Sequence, residues 1–168
     1  MTETRWRTMG SPVGPLTLAG CGDVLTHLRM EGQTHPPSGR HRWRHDPKAF
    51  GDVAGQLDAY FASELTTFAV DLRLDGTDFQ RRVWQALLEI PYAETRSYGQ
   101  LAAQIGRPGT ARAVGLANGQ NPIGIIVPCH RVIGARGALV GYGGGLLRKQ
   151  MLLQLEQDHG VPRLALDA

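Results

Sequence analysis

The sequence predicts an α+β protein with two domains, in which an antiparallel sheet with one helix precedes a mainly helical domain containing a helix-turn-helix. Two observations support this fold class. Short runs of β-forming residues are concentrated in residues 1–75, whereas capped helical segments dominate residues 76–168. The chain of 168 residues is long enough for two small domains with a hydrophobic core.

The first domain is predicted to contain a hairpin, a loop, a helix and a further strand. Residues 14–20 and 24–30 are short runs of β character separated by a turn, which is typical of an antiparallel hairpin. Residues 33–45 are polar and basic and include two adjacent prolines, so we expect an exposed loop. Apolar side chains at helical spacing predict a helix over 50–65, and a strand over 68–72 leads to the domain boundary.

The second domain begins with two helices that carry capping signals. Thr77 is followed three residues later by Gln80, which is the pattern of a capping box, and Pro91 ends the helix. Ser97 and Gln100 repeat the pattern at the start of the next helix.

A third helix completes a predicted helix-turn-helix. Gly106 can close the second helix, residues 107–109 form a tight turn, and Thr110 caps a helix that extends through Asn118 to Gly119. Two short capped helices joined by a few residues are typical of a DNA-binding helix-turn-helix. A packed helical hairpin without nucleic-acid function is the alternative. A last helix is predicted over residues 146–157.

Composition restricts the class of protein and its location. The hydrophobic fraction of 42% is ordinary for a globular protein. No apolar stretch reaches the roughly 18 residues that a membrane span requires. Residues 1–7 lack the apolar core of a signal peptide, and two cysteines are too few for a disulfide framework. These features predict a cytoplasmic protein without a membrane segment.

Charge is divided unevenly between the two predicted domains. Residues 1–75 hold eight Lys/Arg and nine Asp/Glu, a net charge of −1, and residues 76–168 hold ten and six, a net charge of +4. A basic second domain is compatible with a polyanionic partner such as nucleic acid.

The tetrapeptide Pro128-Cys129-His130-Arg131 is the strongest candidate for chemistry. It follows the apolar run 123–127, which predicts a short buried strand. A reactive cysteine needs a partly accessible sulfur and a proton acceptor within reach. Neighbouring side chains on a strand point to opposite faces, so Cys129 and His130 can cooperate only if the chain turns at Pro128 or a water links them. A buried free cysteine beside a surface histidine is the alternative.

Residues 121–133 closely resemble the active-site segment of the O6-alkylguanine-DNA alkyltransferases, and further segments are similar to this family in order and spacing. The similarity is dense over residues 76–156 and looser before them, where residues 11–16 match best. Residues 76–84 resemble the start of the active domain, and residues 95–102 and 111–115 resemble the two DNA-binding helices. Residues 142–145 resemble the glycine-rich loop, and residues 152–156 resemble the final helix.

The resemblance implies direct repair of DNA. An alkyl group would pass irreversibly from O6-alkylguanine, and less well from O4-alkylthymine, in duplex DNA to Cys129, with the target base flipped out. Displacement at a saturated carbon needs a strong, soft nucleophile such as a thiolate. Because the thioether product resists hydrolysis, each molecule would react once. No cofactor is expected.

The resemblance also assigns partners to the nucleophile. His130 would act as the base, since its ordinary pKa lies near neutrality. Glu156 would orient His130 in a Cys–water–His–Glu relay; alternatively, its carboxylate lies at the edge of an apolar helix face and reaches solvent. Asn121 would satisfy the other side of the imidazole or brace the loop, or it is a turn-forming residue before Pro122.

DNA binding is assigned to the helix-turn-helix. Arg112 would fill the stack that the flipped base leaves, and an ordinary phosphate contact is the alternative. Tyr98 would help to rotate the nucleotide and donate a hydrogen bond to the leaving guanine; the alternative is a half-buried aromatic side chain near a helix end. Small residues would let the third helix lie close to the minor groove. The predicted DNA-binding residues are Tyr98, Ala111, Arg112, Ala113, Gly115 and Asn118.

The glycine-rich loop would form the substrate pocket. Tyr142 would pack against the alkyl group, Gly143 and Gly144 would offer backbone groups to the flipped base, and the Val132 carbonyl would read the guanine amino group. Such a pocket has room for groups larger than methyl. Glycine runs in general mark flexible turns.

No metal site is predicted. Some members of the family carry a structural zinc held by two cysteines and two histidines. Cys21 and His27 lie in a comparable hairpin, but no second cysteine precedes Cys129. A group of histidines in the 33–45 loop could bind metal or belong to a solvated basic loop; these are His35, His41 and His45.

Two other classes of function compete with alkyl transfer. A binding module would recognise alkylated DNA without repairing it, but Cys129 is present and argues against this. A cysteine hydrolase built on Cys129, His130 and Glu156 would turn over repeatedly, whereas the adjacent Cys-His pair and the DNA-binding features favour a single transfer. The expected partner is duplex DNA containing O6-alkylguanine. The protein is expected to be a monomer in solution, and clustering on DNA is left open.

Overall fold

The structure, a computed structural model, describes residues 3–160. It confirms the α+β class: a sheet with one helix is followed by a mainly helical region. No helix within the described part of the chain is long and apolar enough to cross a membrane.

The first domain contains a sheet with the strand order β3-β2-β1-β4. Its strands are β1 (Thr4–Met9), β2 (Leu16–Cys21), β3 (Val24–Met30) and β4 (Arg44–His45). The predicted hairpin is confirmed as the antiparallel pair β2–β3. Strand β1 was not predicted, because none of its residues is fully buried and its sequence lacks an apolar run. Strand β4 lies at the end of the predicted loop and pairs parallel to β1.

The helix and the second strand predicted for this domain differ from the structure. Helix α1 (Gly51–Phe61) is shorter than the predicted 50–65, since Ser63 adopts a left-handed conformation just beyond it (φ +62°). The strand predicted over 68–72 is wrong. The chain there forms one bridge to β3, in which the Leu25 amide donates to the Asp71 carbonyl (2.9 Å). One such contact positions an extended segment without making it a strand.

The second domain contains four helices and a short two-stranded parallel sheet among its described residues. These elements are α2 (Asp78–Leu88), β5 (Arg96–Ser97), α3 (Tyr98–Gln104), α4 (Ala111–Gly119), β6 (Val132–Ile133) and α5 (Leu146–Gly160). Both predicted capping boxes are present, at Thr77 and Ser97. Thr110 is the N-cap residue of α4, as predicted, but its side chain makes no capping hydrogen bond, because its hydroxyl donates back to the Arg107 carbonyl (2.6 Å).

Helix α2 anchors the helix-turn-helix formed by α3 and α4. The Trp84 indole N–H donates to the Ala117 carbonyl (2.9 Å), and both residues are buried. Gly76 permits this arrangement, since a Cβ there would lie 2.6 Å from the Trp84 ring. The core is continuous from the sheet to these helices. The outer face of α4 is therefore held in a fixed position relative to the rest of the molecule.

The strand predicted over 123–127 is wrong, although its burial was predicted correctly. The segment is a series of turns in which Ile125 adopts a left-handed conformation (φ +68°). It contacts β3, where the Leu28 amide donates to the Pro122 carbonyl (3.0 Å) and the Gly124 amide donates to the Leu28 carbonyl (3.1 Å). These bonds hold the segment before Cys129 against the sheet of the first domain.

Candidate active site

Cys129 begins a single turn of 3₁₀ helix, Cys129–Arg131, directly after Pro128. The chain thus turns at Pro128, which is one of the two conditions under which Cys129 and His130 can cooperate. The Cys129 amide donates to the Val127 carbonyl (2.8 Å), which tightens the turn. The cysteine is only 6% exposed, less than the partial accessibility expected of a reactive thiol.

A buried cluster of four side chains lies behind the cysteine. Glu156 accepts hydrogen bonds from His130 Nε2 (2.6 Å), the Tyr60 hydroxyl (2.5 Å) and Arg131 Nε (2.8 Å). Glu156, His130 and Tyr60 are fully buried, and Arg131 is nearly so. We call these residues the Glu156 centre. The pair of His130 and Glu156 implied by the family resemblance is present, and the alternative of a solvent-facing Glu156 is wrong.

The Glu156 centre holds an ionised carboxylate against a neutral imidazole. Burial would raise the pKa of Glu156, but the hydrogen bonds and charges of His130 and Arg131 outweigh it and hold this pKa well below its usual range. Burial lowers the pKa of His130, and Arg131 and Lys149 act in the same direction, against the opposing effect of Glu156. Neutral His130 therefore donates its Nε2–H to Glu156, which leaves Nδ1 with a lone pair.

The thiol of Cys129 is surrounded by groups that favour its thiolate. Burial raises the pKa of Cys129 above its usual value, although hydrogen bonds from Asn121 and Tyr142 and the positive charge of Lys149 act in the opposite direction. His130 Nδ1 is buried and makes no hydrogen bond to another described residue. The arrangement therefore combines a proton acceptor with donors that stabilise negative charge on sulfur.

Asn121 braces the segment before the cysteine. Its Nδ2 donates to the Val127 carbonyl (2.8 Å), and its Oδ1 accepts from the Ile123 amide (3.0 Å). Among the alternatives for Asn121, the structure places it as a brace that also contacts the thiol, and not on the imidazole of His130.

Lys149 is a buried cation beside the site. Its Nζ donates to the carbonyls of Val132 (2.6 Å), Val140 (2.9 Å) and Gly141 (3.4 Å). Burial lowers the pKa of Lys149 to about 8, against the effect of Cys129. Lys149 thus ties α5 to two places in the chain: Val132, whose carbonyl the family resemblance assigns to the pocket, and the two residues directly before the glycine-rich loop.

Tyr98 lies at the start of α3, within reach of the same segment. Its hydroxyl donates to the Val140 carbonyl (3.0 Å), and the ring is partly buried. Burial raises the pKa of Tyr98, and the nearby Cys129 adds to the effect. The pairing of Ser97 with Ile133 in the β5–β6 sheet holds this tyrosine next to the cysteine turn.

The outer side of α4 is exposed and built from three small residues, one leucine and one arginine. Arg112, Ala113 and Leu116 are exposed, with Leu116 at 62%, and Ala111 and Gly115 are partly exposed. We call these five residues the α4 face. A slim face of this kind can approach a nucleic-acid groove closely, and Arg112 projects from its first turn.

The prediction that Asn118 contacts DNA is wrong. Asn118 is buried on the inner side of α4, and its Nδ2 donates to the Cys129 carbonyl (3.3 Å). Helix residues three apart lie on the same side of a helix, so the spacing from Gly115 did not reveal that Asn118 lies at the buried edge of α4, where it meets the Cys129 carbonyl.

The glycine-rich loop lies over the cysteine and against the first domain. Tyr142 shares a hydrogen bond with the Cys129 thiol, and burial raises the pKa of this tyrosine well above its usual value. Gly143 and Gly144 lie against the residues that follow β3. Of the pocket residues named from the sequence, Tyr142 thus contacts the sulfur, whereas Gly143 and Gly144 belong to the loop that follows it.

Two histidines of the first domain pack against tryptophan rings. Within residues 3–160, no three His, Cys, Asp or Glu side chains lie close enough together to hold a metal ion. His27 packs against Trp43 (4.9 Å between ring centroids) and His45 against Trp6 (4.6 Å), in both cases with tilted rings.

Sequence reasoning missed three side chains of the site: Arg131, Tyr60 and Lys149. A signal existed for Lys149, because it lies three residues before Leu152 and seven before Glu156, on one face of α5. Arg131 belongs to the motif itself. Tyr60 gave no signal, since its contact with Glu156 spans 96 positions in sequence.

Two family models match this chain, one over each of its two parts. Residues 78–158 match the DNA binding domain of 6-O-methylguanine DNA methyltransferase, and residues 4–74 match the ribonuclease-like domain of the same family. A methylated-DNA–protein-cysteine methyltransferase of Mycobacterium bovis is 65% identical over 96% of this chain and 97% of its own length. The relative from Methanosarcina acetivorans is 52% identical over 87% and 94%.

Solved structures agree with these sequence matches. The structure of Mycobacterium tuberculosis OGT in complex with DNA superposes with a TM-score of 0.90 at 66% identity, covering 92% of this chain and 94% of that one. The O6-methylguanine methyltransferase of the same organism gives 0.89 at 64% identity over 98% and 99%. The identity, the coverage and the two family matches lead to one conclusion: the chain belongs to the 6-O-methylguanine-DNA methyltransferase family.

Proposed function

We propose that this protein repairs O6-alkylguanine in duplex DNA, and O4-alkylthymine less well, by moving the alkyl group irreversibly to its own Cys129. Membership of the family and the names of the relatives support the reaction type. The single observation that assigns the reaction to particular residues is the buried series formed by the Cys129 turn, His130 and the hydrogen bond from His130 to Glu156. It supplies a nucleophile, a base and a group that fixes the base.

His130 takes the thiol proton. Glu156 accepts the Nε2 hydrogen of His130, so Nδ1 is the nitrogen that can accept a proton from Cys129 through a bridging water. The thiolate sulfur then attacks the alkyl carbon, a sulfur–carbon bond forms, and the bond from carbon to guanine O6 breaks with its electrons leaving on guanine. Asn121, Tyr142 and Lys149 stabilise the thiolate before attack.

Tyr98 serves the leaving group and Val132 reads the base. The hydroxyl of Tyr98 lies at the site and donates to a backbone carbonyl, so it can turn to guanine when the base enters. The Val132 carbonyl accepts from Lys149 and keeps a second lone pair for the guanine amino group. Tyr142 packs against the alkyl group, and the amides of Gly143 and Gly144 face the base.

The α4 face binds DNA in the minor groove. Its small residues allow close approach, and Arg112 enters the base stack when the target nucleotide rotates out. The net charge of +4 in residues 76–168 favours binding to the phosphate backbone.

The remaining predictions belong to the same proposal. The division at residues 75 and 76 separates a supporting first domain from a second domain that binds DNA and carries Cys129. The protein acts as a monomer in solution, within the cytoplasm.

Intact-mass measurement tests the reaction. After incubation with a duplex containing O6-methylguanine, the protein should gain one methyl group, about 14 Da, because methyl replaces the thiol hydrogen. Peptide mapping should place it on Cys129, and product should stop at one equivalent per protein. The control is Cys129→Ser, which should keep DNA binding and lose transfer. Repeated turnover, as a cysteine hydrolase would show, or methyl at another residue would contradict the proposal.

A further inference from the structure

The wall of the alkyl pocket rests on the first domain at one turn, residues 30–35, which we call the 30–35 turn. The Thr34 amide donates to the Gly143 carbonyl (3.2 Å), a backbone bond between the two domains. Gly144 lies so close to this turn that a Cβ on it would be 2.4 Å from the Met30 sulfur. The glycine-rich loop therefore has little freedom to move towards the first domain.

The 30–35 turn is itself held rigidly by a buried arginine. Arg29 is 7% exposed, and its two terminal nitrogens donate to the carbonyls of His35 (3.0 Å), Gln33 (3.0 Å) and Thr34 (2.9 Å). The planar guanidinium has donors in a fixed geometry, so it sets the relative positions of these carbonyls. The Gln33 side chain adds a bond by accepting from the Met30 amide (2.9 Å).

A second arginine ties the turn to the loop from the opposite side. Arg148, in the first turn of α5, donates through one nitrogen to the carbonyls of Glu31 (2.6 Å) and Gly144 (3.3 Å). The next residue, Lys149, donates to the Val140 and Gly141 carbonyls, which directly precede the glycine-rich loop. The loop is thus fixed by α5 at one end and by the 30–35 turn along its length.

We propose that Arg29 and Arg148, acting through the 30–35 turn, are positioning residues that determine which alkyl groups the pocket accepts. This inference rests on the proposed function, since it assigns Tyr142 to the pocket wall. A methyl group barely reaches that wall, whereas a benzyl group must lie against it to bring its reacting carbon to the sulfur. A displaced wall consequently impairs transfer of the large group more than transfer of the small one.

The test compares two transfer rates in each of three variants. Arg29→Met and Arg148→Met remove the two ties, and Arg5→Met is the matched control, because Arg5 is a partly buried arginine paired with Asp46 away from the pocket. Second-order rates are measured for O6-methylguanine and O6-benzylguanine in the same duplex, together with thermal midpoints. Since a misplacement of about 1 Å can cost about 100-fold in rate, we expect the benzyl-to-methyl ratio to fall about tenfold in both test variants and to stay constant in Arg5→Met.

A merely structural contribution would lower both rates alike and leave their ratio unchanged, which would overturn the inference. An equal change of the ratio in Arg5→Met would overturn it as well. Arg148 is partly exposed, so Arg148→Met decides the question if Arg29→Met does not fold. The intact-mass measurement tests the proposed function separately. If the wild-type protein carried no methyl group on Cys129, that result would contradict the proposed function.

Discussion

The Glu156 centre and the α4 face differ in whether their side chains already have bonding partners within the protein. In the Glu156 centre, every acceptor oxygen of the carboxylate is already bonded, to side chains from α1, the cysteine turn and the backbone around them. On the α4 face, Arg112 and Leu116 project outward. Under the proposed function, the chemistry is assembled before DNA arrives, whereas recognition is completed by the DNA.

This difference has an energetic reason. A buried carboxylate is costly unless it is paired and hydrogen bonded, so the fold must complete the Glu156 centre in order to be stable. An exposed arginine has no such requirement, because water solvates it. Substitutions in the two regions should therefore fail in different ways.

The largest expected effect is that of Glu156→Gln. The amide cannot hold His130 and Arg131 as a carboxylate does, and a buried guanidinium without its partner typically costs about 3–5 kcal/mol. Transfer should slow about 100-fold or more with both duplex and free O6-benzylguanine, because loss of general base catalysis affects either substrate. Denaturant titration and transfer rates measure the two effects. The exposed carboxylate Glu94 supplies the control Glu94→Gln, and equal behaviour of the two variants would remove Glu156 from the relay.

Salt should weaken binding to DNA without changing the chemistry of the Glu156 centre. Each phosphate contact releases counterions, so affinity for duplex DNA should fall roughly ten- to hundredfold between about 50 and 200 mM salt. Titrations with fluorescent duplexes at several salt concentrations measure the slope. The rate with free O6-benzylguanine should change little over this range; a salt-insensitive affinity would show that the basic second domain is not the DNA surface.

A smaller effect is expected from acid. The pKa of His27 is lowered by burial, with Arg29 adding to the effect, to about 4, and the pKa of His130 is lowered as well. In the unfolded chain both imidazoles regain an ordinary pKa near 6.5, so the unfolded state binds more protons and stability falls as the pH drops from about 6.5 towards 4. Thermal midpoints at pH 7, 6 and 5 should decline by a few degrees. The variant His27→Gln should flatten this decline, and a constant midpoint in the wild type would contradict the direction of both shifts.

Features that depend on nearby residues were predictable from the sequence. The capping boxes at Thr77 and Ser97 involve residues three apart, and the hairpin of β2 and β3 is set by its alternating pattern and its turn. The cysteine turn was predictable in part, because Pro128 interrupts an apolar run. In each case the deciding interactions lie within a few positions of one another.

Features that depend on tertiary contacts were not predictable in this way. The run over 123–127 is apolar because it is buried, and burial alone does not distinguish a strand from buried turns. Tyr60 bonds a carboxylate far away in sequence, and Asn118 turns inward because the cysteine carbonyl lies there. Four residues of the α4 face, Ala111, Arg112, Ala113 and Gly115, were named only through the family resemblance, since the function proposed for them is a contact with DNA, and Leu116 was not named.

The separation of chemistry from recognition is tested most directly by Arg112→Ala with two substrates. Arg112 is exposed on the α4 face and is not part of the Glu156 centre, so its loss should slow repair of duplex O6-methylguanine about tenfold or more. The rate with free O6-benzylguanine, which needs no base flipping, should stay within about twofold of the wild type. Equal slowing of both substrates would show that Arg112 supports the pocket or the fold, and it would contradict the division of the molecule into a preassembled chemical centre and a separate DNA-binding face.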